Sequence, residues 1–509
     1  MNRKRGVLFF AIGFGLLVLT VSVYFLLLPK KSEQKILLSL PVKRADPGIV
    51  KPPHDTTQLE CIHYALEKLA GSDSMRHATF GFCLAGADSG TIVLGWNAGQ
   101  TFIPASVLKI VTTGLCLRKL GPGFRYSTRL QYDGAVDVLD KVLEGNVYIK
   151  GSGDPTLGSS NFADCKEDKV LEDWVLAIKK MGIEKIDGAV VGDGDVFDED
   201  QIPSGWAWED MQSEYAIGSS GLSFRENCYD ICLSGRSGIP EFKIPQQVPG
   251  LKLTNHVQFN RSELKDYAYV SGGPYMNERE LKGQVKAGNC QLLTQSALPD
   301  PAYYCANMLY EILKKNGISV RDSSTTTRRL KLSGKKTKKE RITFYTTYSP
   351  SLDRIVWYTN TVSQNFYTEN LLRTLSLYEH GYGSTPGGVN VVRDFMDEQE
   401  IDPGGFYMAD GSGVSRFDGI TPEQLVGLLH AFTRDSMSFK SFYNSLPAFE
   451  NSIRYKGGYM TRVLSYAGYV TTAGGKRLSF ALLANNHSYS VIGMKNELDI
   501  IMRMLTELD

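Results

Sequence analysis

A serine three residues ahead of a lysine, Ser106-Val107-Leu108-Lys109, puts a hydroxyl and an amine on one face of a helical turn, because side chains at i and i+3 are neighbours there. A serine hydroxyl is inert near neutral pH until a base takes its proton, and an unprotonated amine can be that base. The pair reads as a nucleophile with its own general base, and the chemistry it serves is acyl transfer. Pro104-Ala105 precedes it, and Val107, Ile110, Val111 and Leu115 give an apolar face behind it, so Ser106 opens a helix. There the helix dipole is positive, and the serine's own backbone N–H can face a developing oxyanion. The same spacing recurs at Ser32 and Lys35, Ser262 and Lys265, and Ser333 and Lys336, in linker-like or strongly polar surroundings with no apolar helix face. Those three read as chance.

Two further elements follow in order. Ser363-Gln364-Asn365 is an S-x-N triplet; residues two apart diverge on a helix, so the pair projects from a turn between helices, the hydroxyl to relay a proton and the amide to hold a carbonyl. Lys456-Gly457-Gly458 lies on an expected strand and stands where the K-T-G element of serine acyl enzymes would be.

The elements that must position these groups are legible around them. Leu59, Ile62, Leu66 and Leu69 predict a helix behind Thr56 and Thr57, ended by Gly71, and residues 80–84 and 91–96 predict a β-hairpin. From about 126 to 343 the chain changes character, with strand-like pieces at 142–150, 189–191, 229–233 and 251–253 between Gly, Pro, Asp and Ser, and one helix striped by Tyr303, Ala306, Leu309, Tyr310 and Leu313. Two helical patterns after Ser349-Pro350 are broken at Ser363-Gln364-Asn365. Residues 454–460, 463–470 and 477–484 then read as antiparallel strands, and Leu498, Ile501, Met502 and Leu505 as a closing helix.

Taken jointly, Pro104-Ala105-Ser106-Val107-Leu108-Lys109-Ile110-Val111-Thr112-Thr113, Gly151-Ser152-Gly153-Asp154-Pro155-Thr156-Leu157, Asp410-Gly411-Ser412-Gly413-Val414-Ser415-Arg416 and Ser465-Tyr466-Ala467-Gly468-Tyr469 resemble the class C low-molecular-mass penicillin-binding proteins, the D-alanyl-D-alanine carboxypeptidase/endopeptidase family. The resemblance covers nearly everything after residue 31. It implies an α/β (α+β) fold, a serine β-lactamase/transpeptidase-like domain in two parts, 56–125 and 344–509, split by a strand-rich insertion of one or two domains at 126–343. It implies a penicillin-binding serine D,D-peptidase acting on peptidoglycan stem peptides, with β-lactams as covalent inhibitors and no cofactor or metal. Ser106 would be the acylated nucleophile, Lys109 its base, Ser363 and Asn365 the proton relay and substrate clamp, and Lys456, Gly457 and Gly458 the carboxylate-binding strand. Two departures stand out: Gln364 where Asp is common, and Gly457 where the family has Thr or Ser, whose hydroxyl helps hold the terminal carboxylate. A serine β-lactamase, or a peptidoglycan-binding protein that has lost turnover, are the alternative readings.

Composition narrows the field. The 509 residues fit about three domains, and 56 Lys+Arg against 55 Asp+Glu leave no net field to draw nucleic acid. The seven His form no H-E-x-x-H, and no Walker A, G-x-S-x-G or G-x-G-x-x-G occurs. Asp193, Asp195, Asp198, Glu199 and Asp200 lack the Gly and Glu a calcium loop needs and read as a solvated turn; the basic run at 328–341 reads as a solvated hairpin around Ser333-Gly334. Eight cysteines form no framework, and Cys228 and Cys232 read either as a bridge or as two thiols. Residues 7–28 carry no charge and follow Arg3, Lys4 and Arg5, which predicts a single uncleaved membrane helix within 1–31. A linker at 32–55 follows it, and the catalytic part is expected to be extracytoplasmic, in the periplasm.

Overall fold

The computed structural model of the chain describes residues 57–235, 240–260, 267–286, 290–335 and 340–509. The expected span and linker lie outside them, and among the described residues no helix is long and apolar enough to cross a membrane. The chain forms two compact units: Gln212–Tyr215 with Cys228–Pro299, and the remainder.

The larger unit is built on a six-stranded antiparallel sheet. The helices around this sheet are labelled α1 (Gln58–Ala70), α2 (Lys109–Leu120), α3 (Leu352–Val362), α4 (Asn365–His380), α5 (Thr385–Glu398), α6 (Pro422–Thr433), α7 (Ser436–Ser445) and α8 (Val491–Thr506). Its strands are β1 (Thr79–Gly86), β2 (Ile92–Trp96), β3 (Ala448–Phe449), β4 (Ile453–Met460), β5 (Val463–Thr471) and β6 (Arg477–Asn485), in the order β3-β4-β5-β6-β1-β2. Strand alternation divides the apolar residues between two faces. Phe82, Leu84, Tyr466, Phe480 and Leu482 pack with Ile62 and Leu66 of α1 and Leu498 and Met502 of α8. Cys83, Ala85, Ala467, Ala481 and Leu483 pack instead with Ile110, Val111 and Leu115 of α2 and with residues of α3 to α7. The sheet is thus covered on both faces, and each buried Leu or Ile contributes about 1.5–3 kcal/mol.

Near the two ends of the segment 126–343, the strands Ser127–Tyr132 and Ile342–Tyr348 are antiparallel neighbours with Ser127 opposite Tyr348. The two ends of the segment therefore meet. Within the larger unit it adds that five-stranded sheet and a four-stranded one. The stretch 142–150 is two strands, Val142–Glu144 and Val147–Lys150, in different sheets. A helix at Glu167–Lys180 stands beside the expected one at Pro301–Lys315.

The charge runs differ from expectation. Residues 328–332 of the basic run lie in a helix, Thr327–Leu332, rather than in a hairpin arm, and the acidic turn is its partner. Thr325–Thr326 pairs in parallel with Val191 and Gly192, so the chain after 326 runs beside the chain after 192. Arg341 meets Asp193 at 2.5 Å, Lys331 meets Asp195 at 3.0 Å, Arg328 meets Glu199 at 3.0 Å, and Arg373 pairs with Asp198.

The smaller unit has a three-stranded antiparallel sheet and a four-stranded mixed one. Buried Arg279 holds it together by donating to the carbonyls of Met276 at 2.9 Å and Gly273 at 3.0 Å and to Gln212 Oε1 at 2.6 Å. Cys228 and Cys232 lie four residues apart on the strand Cys228–Gly235, and no disulfide joins them. An extended strand sets such residues about 13 Å apart, beyond the ~7 Å that a bridge tolerates.

Candidate active site

The expected helix start is a 3₁₀ turn, Ala105–Leu108, that runs into α2. Its geometry brings Lys109 Nζ to 2.9 Å from Ser106 Oγ. Lys109 is wholly buried while Ser106 is part-exposed, so the nucleophile is reachable and its base is shielded from water. Ala105 takes φ +50, a left-handed conformation that costs a residue with a Cβ about 1–2 kcal/mol. Strain of this kind persists where surroundings over-determine it, and here it turns the chain so that Ser106 heads the helix.

Lys456, Gly457 and Gly458 stand on β4, opposite Ala467, Tyr466 and Ser465 of β5. Gly458 is pressed against the nucleophile turn: a Cβ there would lie 2.7 Å from Pro104 O and 2.8 Å from the backbone nitrogens of Ser106 and Val107. Lys456 is two residues back on the same face, about 7 Å along the strand. It is buried, its amine donates to the Gly457 carbonyl at 2.9 Å, and burial pushes its pKa down to about 7. An incoming carboxylate would favour its charged form. Gly457 faces the other way, where a Cβ would meet the rings of Tyr466 and Tyr455 at 3.5 and 3.7 Å. Tyr459 shares that side and packs with the α1/α8 core, and Arg462 donates to the Asn486 carbonyl at 2.7 Å. β3 pairs with β4 only at Ile453 and Arg454, so among the described residues no strand covers the outer edge from Lys456 to Met460. An extended peptide can add there as a further strand.

Ser363 is the C-cap of α3, at φ 59 and ψ 44, and Asn365 is the first residue of α4. The left-handed residue makes the sharp turn that the S-x-N spacing called for. α3 is tied to α2 one turn earlier, where Asn360 Nδ2 donates to Thr113 Oγ1 at 3.2 Å and Thr113 Oγ1 donates to the Lys109 carbonyl at 2.6 Å. The structure thus joins Ser106 to Lys109 directly and seats Gly458 on their turn. It holds Ser363 and Asn365 at the junction of two helices of the same layer.

Residues without an expected role complete the site. Lys109 Nζ also donates to the Ser412 carbonyl at 2.6 Å, and Thr112 Oγ1 to the Gly411 carbonyl at 2.8 Å. Gly413, at φ +78, approaches so closely that a Cβ would fall 1.9 Å from Ala105 O. The D-G-S-G run was visible as a motif, but its contact with a helix 300 residues earlier has no local signal.

A serine with a buried lysine partner at a helix start, roofed by a glycine strand in a covered antiparallel sheet, defines a serine acyl-transfer enzyme. The family described as D-Ala-D-Ala carboxypeptidase 3 (S13) matches residues 62–507, and the chain belongs to it; it is a serine D-Ala-D-Ala carboxypeptidase. D-alanyl-D-alanine carboxypeptidase DacB of Haemophilus influenzae is 22% identical over 430 residues, covering 80% of this chain and 85% of that protein. The crystal structure of penicillin binding protein 4 (dacB) from Haemophilus influenzae superposes with a TM-score of 0.75 at 19% identity, covering 88% of this chain and 99% of that one. The same protein complexed with a β-lactam gives a TM-score of 0.68 at 19% identity, covering 87% and 97%. The mixed α/β fold is the one these structures have.

Proposed function

We propose that the protein cleaves D,D-peptide bonds of peptidoglycan stem peptides through an acyl-enzyme at Ser106, and that β-lactams acylate the same oxygen. Lys109 takes the Ser106 proton as Oγ attacks the carbonyl of the penultimate D-Ala, and the Ser106 N–H faces the oxyanion. Ser363 relays the proton to the leaving amine while Asn365 holds a substrate carbonyl. The C–N bond breaks and the D-amino acid departs; water then attacks the ester, its proton returning through the same groups. Lys456 attracts the terminal carboxylate. The observation that carries this reading is the 2.9 Å Lys109–Ser106 hydrogen bond under Gly458. The Haemophilus influenzae complex with a β-lactam supports β-lactams as ligands of this site. Fluorescent penicillin, followed by mass spectrometry of the labelled peptide and by product analysis on a defined muropeptide, tests it. A lasting adduct at Ser106 with D-Ala release supports the reading; rapid loss of the adduct favours a β-lactamase, and no adduct a binding protein.

Gly457 favours cross-link cleavage over removal of a terminal D-Ala. A hydrogen bond to a charged group contributes about 1.5–3 kcal/mol, so lacking the usual hydroxyl weakens terminal-carboxylate recognition about 10- to 100-fold. A side chain at 457 has room, since a Cβ there meets only ordinary contacts at 3.5 Å or more, and because it starts on the face turned away from Ser106 its hydroxyl has to reach the carboxylate round the open edge of β4. Gly457→Thr is expected to raise carboxypeptidase kcat/KM about tenfold more than it raises endopeptidase kcat/KM. An unchanged or lower carboxypeptidase value in the folded variant would show that the carboxylate is bound otherwise.

Residues 1–31 anchor the chain in the cytoplasmic membrane, 32–55 link it to the catalytic part outside, and 126–343 interrupt the transpeptidase-like domain of 56–125 and 344–509. Full-length protein should then stay with membranes after a high-salt wash and keep its N-terminus; a mature chain beginning beyond residue 28 would refute the anchor.

A further inference from the structure

The loop that receives the catalytic lysine is organised by one buried side chain. Asp410 is wholly buried, and its carboxylate accepts hydrogen bonds from the backbone N–H groups of Ser412 at 2.9 Å, Gly413, Val414 at 3.0 Å and Ser415 at 2.7 Å. A fifth donor comes from the insertion: Trp206 Nε1 lies 2.7 Å from Asp410 Oδ2. Five N–H groups converging on two oxygens suit a carboxylate charge and fold the chain back on itself. The carbonyls of Gly411 and Ser412 are thereby turned toward α2, where Thr112 and Lys109 donate to them from adjacent turns.

This arrangement bears on catalysis through the lone pair of the amine. A neutral lysine has two N–H bonds and one lone pair. An N–H committed to the Ser412 carbonyl fixes the rotation of the amine, and the lone pair can then be aimed at Ser106 Oγ. We propose that Asp410 is the positioning residue of the catalytic lysine, acting through the Ser412 carbonyl, and that Trp206 ties the insertion to it. The role rests on Lys109 acting as the base for Ser106. Two further buried carboxyl groups, Glu369 and Asp418, lie beside Asp410. Burial and then the Asp410 charge raise both, Glu369 to about 8.

The test uses the full chain and the second-order rate of acylation by a fluorescent penicillin, measured across pH. In Asp410→Asn the amide nitrogen faces N–H donors that need an acceptor, and acylation is expected to fall about 30- to 300-fold with a displaced acidic limb. Thr112→Val removes the neighbouring pin without changing shape, and Trp206→Phe removes one donor of five. Each should lower the rate about 3- to 10-fold, which keeps the proposal testable should Asp410→Asn fail to fold. A purely structural role would lower the melting temperature or the active fraction, while the folded molecules react at the wild-type rate with the wild-type pH profile. That result in these variants would overturn the proposal. Wild-type protein that takes no label would overturn the nucleophile assignment itself.

Discussion

Ser106→Ala is expected to abolish covalent labelling by penicillin and to lower D-Ala release at least ~10³-fold, about 4 kcal/mol of transition-state stabilisation, while the fold is retained. The substitution deletes one oxygen from a part-exposed position and leaves the packing of the turn intact. Lys109→Ala should fall nearly as far, because the hydroxyl without its base is an ordinary alcohol. The two losses should not add: the double variant is expected to match Ser106→Ala, since nucleophile and base act as one unit. Lys109→Ala carries a stability loss that Ser106→Ala does not, because it empties a buried site and removes the donor to Ser412 O. Thermal melting beside labelling separates the effects. Labelling of Ser106→Ala at the wild-type rate would mean that another residue is acylated.

What the sequence disclosed of this site was what short spacings encode. Ser106 and Lys109 share a turn, Ser363 and Asn365 share a junction between helices, and Lys456 and Gly458 share a strand face, so each pair was legible from its own few residues. The hairpin of β1 and β2, the helix α2 and the last three strands were legible for the same reason, their apolar periods being strong. Less was legible where partners are remote. Val170, Leu171, Trp174, Val175 and Ile178 have helical spacing and are buried along Glu167–Lys180, yet the strand-rich character of 126–343 left only the helix at 303–313 assigned there. The acidic and basic runs each read as solvated because their pairing depends on a parallel register between Thr325–Thr326 and Val191–Gly192, more than 130 residues apart. Asp410 is the clearest case: its five donors come from its own loop and from Trp206, and what it supports lies on α2.

Adjacent glycines on β4 allow a sharp contrast. Gly458 has no room: a Cβ 2.7 Å from Pro104 O and 2.8 Å from Ser106 N meets backbone, which cannot swing aside as a side chain can. Gly458→Ala must therefore move either β4 or the turn that carries the nucleophile. Overpacking of this size costs about 1–3 kcal/mol of stability, and a displacement near 1 Å at a reacting group can cost about 10²-fold in rate. Gly457→Ala places the same methyl group one residue away, on the opposite face, at 3.5 Å from Tyr466. The expected result is a fall of about 100-fold or more in acylation for Gly458→Ala, against less than fivefold for Gly457→Ala, measured with one penicillin on folded protein. Gly458→Ala reacting within threefold of wild type would show that β4 and the Ser106 turn can separate without loss, and that close seating of the strand on the nucleophile is not what aligns this site.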